Sequence, residues 1–171
     1  MEDSQSEQLS QTREALRAFP PALLQEFETA RGGLSEVLSE QELDGWAEAG
    51  VGVARHSLRS WEAASEYFRA SPAMLTRLTY PRFREWIGTG QELLEASPAL
   101  AGSYFRSSPE ALDYLSVTQA SDWGEQGRSL YKGTWKSGSL AAQYFEVSPQ
   151  VLPQLPLSQM RLLVEVIDSL A

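Results

Sequence analysis

The chain has 171 residues, enough for one domain with a sizeable core, and 23 acidic against 14 basic residues leave a net charge of −9. That surplus repels nucleic acid and anionic membranes, whose binding draws on a basic excess. With no cysteine there is no disulfide, thiol nucleophile or thiolate metal site, which fits a reducing cytoplasm; no apolar run is long enough to span a bilayer, and the acidic, polar residues 1–5 do not read as a secretory signal.

Residues 1–37 read as N-terminal capping helices forming a degenerate repeat. A helix is predicted over 6–19 and another over 21–30. Phe27 stands where later copies carry Tyr, and Gly32-Gly33 replaces the Pro that opens the third helix elsewhere.

Residues 38–157 read as three tandem repeats. Leu38, Leu78, Leu115 and Leu155 recur at intervals of 40, 37 and 40 residues. Eight residues after each comes Trp46, Trp86, Trp123 or Leu163. Gly50, Gly90 and Gly127 follow the three tryptophans by four. Ala64, Ala101 and Ala141 precede the pairs Tyr67-Phe68, Tyr104-Phe105 and Tyr144-Phe145. These lead in turn to Ser71-Pro72, Ser108-Pro109 and Ser148-Pro149, then to Leu75, Leu112 and Leu152. A fixed period of this kind marks a repeat architecture.

Each unit predicts three helices. The first is capped by Ser39, Thr79 or Ser116. It carries a stripe of three-to-four spacing: Leu43, Trp46, Gly50, Val53 in one copy and Phe83, Trp86, Gly90, Leu93 in the next, then Ala120, Trp123, Gly127, Leu130. A glycine repeated at the centre of a helix, where it costs up to ~1 kcal/mol against Ala, predicts that a neighbouring helix passes close by. The second helix carries Ala-x-x-Tyr-Phe and begins after Ser57, at Ser97-Pro98 and after Thr134. The third is opened by Ser-Pro, with Ser as cap and Pro in the first turn, over 72–78 and 109–115. In the last copy Pro153 and Pro156 interrupt it.

Residues 158–171 read as the first helix of an incomplete fourth repeat, with Met160, Leu163, Ile167 and Leu170 on one stripe and Ile167 in the glycine place. Leu162 and Val166 fall on the face that should receive a following helix. The expectation is that further helices or a second chain cover them, the latter giving a homodimer through the C-terminal helix, or that Ile167 closes the array as a cap.

The fold expected is all-α: one right-handed α-solenoid of roughly 40-residue, three-helix repeats, HEAT/armadillo-like. The Trp-x-x-x-Gly … Tyr-Phe-x-x-Ser-Pro-x-x-Leu units resemble helical repeats of bacterial von Willebrand factor A-type proteins that partner AAA+ ATPases. The resemblance covers residues 38–163. It implies the helical part of a larger ATPase-partner protein, without the metal-binding Asp-x-Ser-x-Ser motif of the A-type domain, which does not occur here.

No catalytic constellation is legible. His56 is the sole histidine and no motif pairs it with a nucleophile or an acid. The Gly-x-Gly runs at 50–52 and 88–90 lie in helix patterns without a preceding strand or a following Lys-Ser/Thr, so they are not phosphate loops. No cofactor, metal or catalytic residue is expected. Aromatic residues at shared repeat positions read as core. Trp61 and Trp135 fall outside those positions, and with Arg69 and Arg106 they are the binding candidates. Arg77, Arg82 and Arg84 lie close together and read as solvated arginines on exposed helix faces. The function expected is a non-enzymatic, cytoplasmic scaffold or adaptor that binds a protein or peptide. The alternative is an enzyme, a hydrolase or nucleic-acid-modifying protein, on a helical-repeat frame.

Overall fold

A computed structural model describes residues 2–132 and 135–170. Among them all regular structure is helical: α1 (Glu2–Leu16), α2 (Pro21–Leu34), α3 (Glu40–Arg55), α4 (Ser60–Arg77), α5 (Tyr80–Ala96), α6 (Pro98–Ala111), α7 (Val117–Ser129), α8 (Trp135–Val151) and α9 (Leu157–Leu170). The starts of the first helices follow local chemistry. Ser39 and Ser116 each close a capping box, with Glu42 and Gln119 reaching back to the cap amide. Thr79 caps α5 by position, without a side-chain bond. Ser97 accepts from the Leu100 amide at 3.4 Å, and Pro98 opens α6.

The expected three-helix unit is corrected to two. Pro72, Pro109 and Pro149 do not open new helices; they lie inside α4, α6 and α8. An interior proline removes one backbone bond and crowds the preceding turn, at about 3 kcal/mol or more. Tertiary burial overrides that cost. Tyr67 and Phe68 before Pro72 and Met74 after it all enter one core, so both halves of the helix must stay aligned. The serine before each proline is likewise not a cap. Its hydroxyl donates to the carbonyl four residues back: Ser71 to Tyr67 at 2.6 Å, Ser108 to Tyr104 and Ser148 to Tyr144 at 2.5 Å.

The helices form two rows. The even-numbered α2, α4, α6 and α8 pack each on the next, and the odd-numbered α1, α3, α5, α7 and α9 do so less extensively. Within units α3 packs on α4, α5 on α6 and α7 on α8. Small residues let the even row close up: an ideal Cβ on Gly102 of α6 would stand 3.7 Å from the Ala63 Cα of α4.

One core cluster runs from Leu16 to Met160, with aromatic rings as its spine. The tyrosines of the first two full units reach into the next unit. Tyr67 stacks on Trp86 at 5.9 Å and meets Phe105 edge-on at 5.5 Å. Tyr104 meets Trp123 at 5.4 Å and Phe145 at 5.3 Å. Phe27, on α2, likewise meets Trp46 and Phe68, at 5.5 and 5.4 Å.

Candidate functional site

Of the four binding candidates, the structure brings two together. Arg69 and Arg106 lie on the solvent stripe of α4 and α6 and share the Glu66 carboxylate, at 3.0 and 3.5 Å. Arg69 also reaches Glu26 of α2 at 2.9 Å. Arg106 reaches Glu146 of α8 at 3.4 Å, and the Ser103 hydroxyl donates to the same carboxylate oxygen at 2.9 Å. The result is a ladder of alternating charge, Glu26–Arg69–Glu66–Arg106–Glu146, across all four even helices. Both guanidiniums are engaged in this ladder.

Trp61 is half-buried in the first turn of α4 and packs against the core. The Trp135 side chain lies outside the described residues. The cluster of Arg77, Arg82 and Arg84 disperses: Arg77 forks onto Asp113 at 2.5 and 2.9 Å, Arg82 pairs with Glu85 at 3.0 Å, and Arg84 turns to a groove described next.

The looser odd row leaves clefts between neighbouring helices, and they differ in size. The α3–α5 cleft has a volume of about 530 Å³; the α5–α7 cleft has about 50 Å³. The small one is closed by a tight approach, with the Thr89 methyl 2.9 Å from where a Cβ on Gly124 would stand. In the large one Gln41, Glu42, Gly45 and Ala49 of α3 face Tyr80, Arg84, Ile87 and Gln91 of α5. Both sets follow three-to-four spacing, so each is one face of its helix. The floor is apolar and the rim polar. Arg84 is exposed and has no carboxylate partner among the described residues. The Tyr80 hydroxyl donates to the Glu42 carbonyl at 3.5 Å. Burial pushes the Tyr80 phenol above its ordinary value; Arg84 pulls it down and Glu42 adds to the rise. At neutral pH it is therefore a protonated donor.

Sequence reasoning missed this groove, although a signal was present. Its residues vary from copy to copy: Gly45 corresponds to Glu85 and Asp122, Arg84 to Asp44 and Ser121, Ala49 to Thr89 and Gln126. The core positions hold Trp, Gly, Tyr and Phe throughout. Variable positions on an invariant frame are where binding surfaces are placed.

Acid–base groups are scattered. His56 is exposed at the C-terminal end of α3. The buried tyrosines serve the frame: the Tyr67 hydroxyl donates to the Trp46 carbonyl at 2.9 Å, and that of Tyr144 to the Gln126 amide oxygen at 2.8 Å. Burial pushes the phenols of Tyr67, Tyr104 and Tyr144 up, although a bond with Thr89 eases Tyr104 down. Among the described residues no three His, Cys, Asp or Glu side chains gather to hold a metal, and no helix is long and apolar enough to cross a membrane.

No protein-family model, curated protein or solved structure matches this chain.

Proposed function

We propose that this chain is a non-enzymatic interaction scaffold, a right-handed α-solenoid of HEAT/armadillo-like units that binds an extended segment of a protein partner in the α3–α5 groove. The observation that carries the reading is the pairing of an invariant aromatic frame with a wide cleft lined by copy-variable residues. The closer packing of the even helices supports a curvature with the even row on the inner side and the odd row splayed outward. On the inner side the charge ladder already satisfies Arg69 and Arg106. On the outer side Arg84, the Tyr80 hydroxyl and the amides of Gln41 and Gln91 stand over a floor of Ala49 and Ile87. That combination suits a backbone in extended form, bonded by the amides and the phenol. Such a segment would place a small apolar side chain on the floor and a carboxylate against Arg84.

A second reading is the helical part of a larger von Willebrand A-type protein that serves an AAA+ ATPase. It is favoured by the repeated Trp-x-x-x-Gly and Tyr-Phe-x-x-Ser-Pro units, and it is compatible with the same groove.

Selection of a displayed random-peptide library against the chain tests the proposal. Selected peptides should carry an acidic residue and lose about tenfold or more in affinity to Arg84→Glu. Ala49→Trp, which fills the cleft, should abolish binding at unchanged thermal stability. Peptides that bind both variants as tightly as the parent chain would exclude the groove.

A further inference from the structure

We infer that the end of the array formed by α8 and α9 is a two-fold interface between two copies of this chain, centred on Val147, Leu162 and Val166. The inference is independent of the α3–α5 groove. Within the array the places equivalent to Val147 are Ala70 and Ser107, which are 6% and 7% exposed because the next even helix covers them. Val147 is 40% exposed. The places equivalent to Leu162 are Gly45, Glu85 and Asp122, and those equivalent to Val166 are Ala49, Thr89 and Gln126; Gly45 with Ala49 and Glu85 with Thr89 line the α3–α5 and α5–α7 clefts, facing the next odd helix. Leu162 and Val166 are 61% and 55% exposed. Val147 and Val166 therefore lie on the surface that inner units cover, wholly or in part, with their successors, and Leu162 adds an apolar side chain beside them at a place that is exposed in every unit, at Gly45, Glu85 and Asp122.

The residue at the Val147 place disfavours a further even helix of the same repeat as the cover. Val147 is larger than the Ala and Ser that let even helices approach, and a bulky side chain there holds a regular neighbour off. The opposite end of the array does not fit either. Its exposed stripe on α2 is Ala22, Gln25 and Thr29, and α1 exposes Ser10, Gln11 and Glu14. Joining end to opposite end would set apolar residues against polar ones and propagate without closure. Joining like ends sets apolar against apolar and closes with two chains. On α8 the helical spacing places the uncharged Gln143 and Gln150 beside Val147, so two chains that are each acidic overall meet where α8 adds no charge.

Sedimentation of the intact chain over a wide concentration range tests this. A monomer–dimer equilibrium is expected, with no larger species. Leu162→Glu and Val147→Glu should each weaken dimerisation roughly tenfold or more. Leu58→Glu, at a residue 96% exposed in the α3–α4 loop, should leave it unchanged. Because the chain lacks cysteine, a nitroxide can be placed through Val166→Cys or, separately, Leu58→Cys. Spin–spin distances between chains should be short for the first label and long for the second. A chain monomeric at every concentration, a self-association indifferent to both glutamates, or a short distance only at the Leu58 label overturns the inference.

Discussion

The ring of Phe105 fills the space that a side chain at Gly90 would need: an ideal Cβ there would lie 2.1 Å from the ring's Cζ atom. The same holds for Gly50 with Phe68, at 2.1 Å, and for Gly127 with Phe145, at 2.0 Å. The close approach predicted from the repeated glycine is real, but the approaching group is a ring of the unit's own second helix. Gly88, one residue away from Gly90's neighbour Thr89 on the same helix, has nothing within 4 Å of its Cβ position. Gly88→Ala should therefore stabilise the protein by about 0.5–1 kcal/mol through helix propensity. Gly90→Ala should destabilise it by ~1–3 kcal/mol through overpacking. Urea unfolding of both variants measures the opposite signs; equal signs would remove the ring from its assigned place.

The tryptophans differ in how their indole N–H is satisfied. Trp86 and Trp123 donate to Ser108 and Ser148, each at 2.9 Å. The indole N–H of Trp46 is buried with no partner among the described residues, although Ser71 occupies the equivalent place. Ser108→Ala should leave a buried donor unpaired and cost ~1–3 kcal/mol. Ser71→Ala should cost less, because it removes only the bond to the Tyr67 carbonyl. Truncating the ring itself, Trp86→Ala, should cost ~3–5 kcal/mol. Thermal and urea denaturation of the three variants give the order.

The buried tyrosines set the alkaline limit. Burial raises the phenols of Tyr67, Tyr104 and Tyr144 in the folded state above the ordinary value of 10.0. A raised folded value means that the folded state holds its protons more tightly than the unfolded chain. The stabilisation is complete below the ordinary phenol value and is lost as pH rises through the folded one. Tyrosinate absorbance from these three groups should rise together with loss of helical circular dichroism. Ionisation of all six tyrosines with the helices intact would contradict their burial.

Glu66 joins two rungs of the charge ladder, and one of its carboxylate oxygens is buried without a hydrogen-bond partner. Both guanidiniums it meets are more than half exposed, so solvent screens them. Glu66→Gln should change stability by no more than about 1 kcal/mol, with the difference shrinking as salt is added. A large, salt-independent loss would show that the ladder holds the even helices together.

Near the N-terminus, Arg13 forks onto Glu28 across α1 and α2, and this bond holds the Glu28 carboxyl below its ordinary value despite partial burial. A lowered folded value contributes stability above the ordinary carboxylate range and loses it as pH falls through the folded value. The stability gap between the parent chain and Glu28→Gln should therefore be widest near neutral pH and close in acid. A gap that persists unchanged in acid would assign the pair no electrostatic role.

Much of this protein was legible in one dimension. The period of Trp, Gly, Tyr, Phe and Ser-Pro revealed repeats of helices, because identical packing needs recur wherever identical units meet. The caps at Ser39, Ser97 and Ser116 and the start of α2 at Pro21 were readable for the same reason: a helix terminus is satisfied by residues within one turn of it. Two features were decided only by tertiary structure. Local rules make Pro72, Pro109 and Pro149 helix openers, yet burial of the residues on both sides aligned two helices into one, since the core on either flank outweighs one lost backbone bond. The groove is the other. Whether a cleft between neighbouring odd helices opens, as at Gly45 and Tyr80, or closes, as at Thr89 and Gly124, depends on distances between residues some 35 positions apart, which no spacing in the chain encodes.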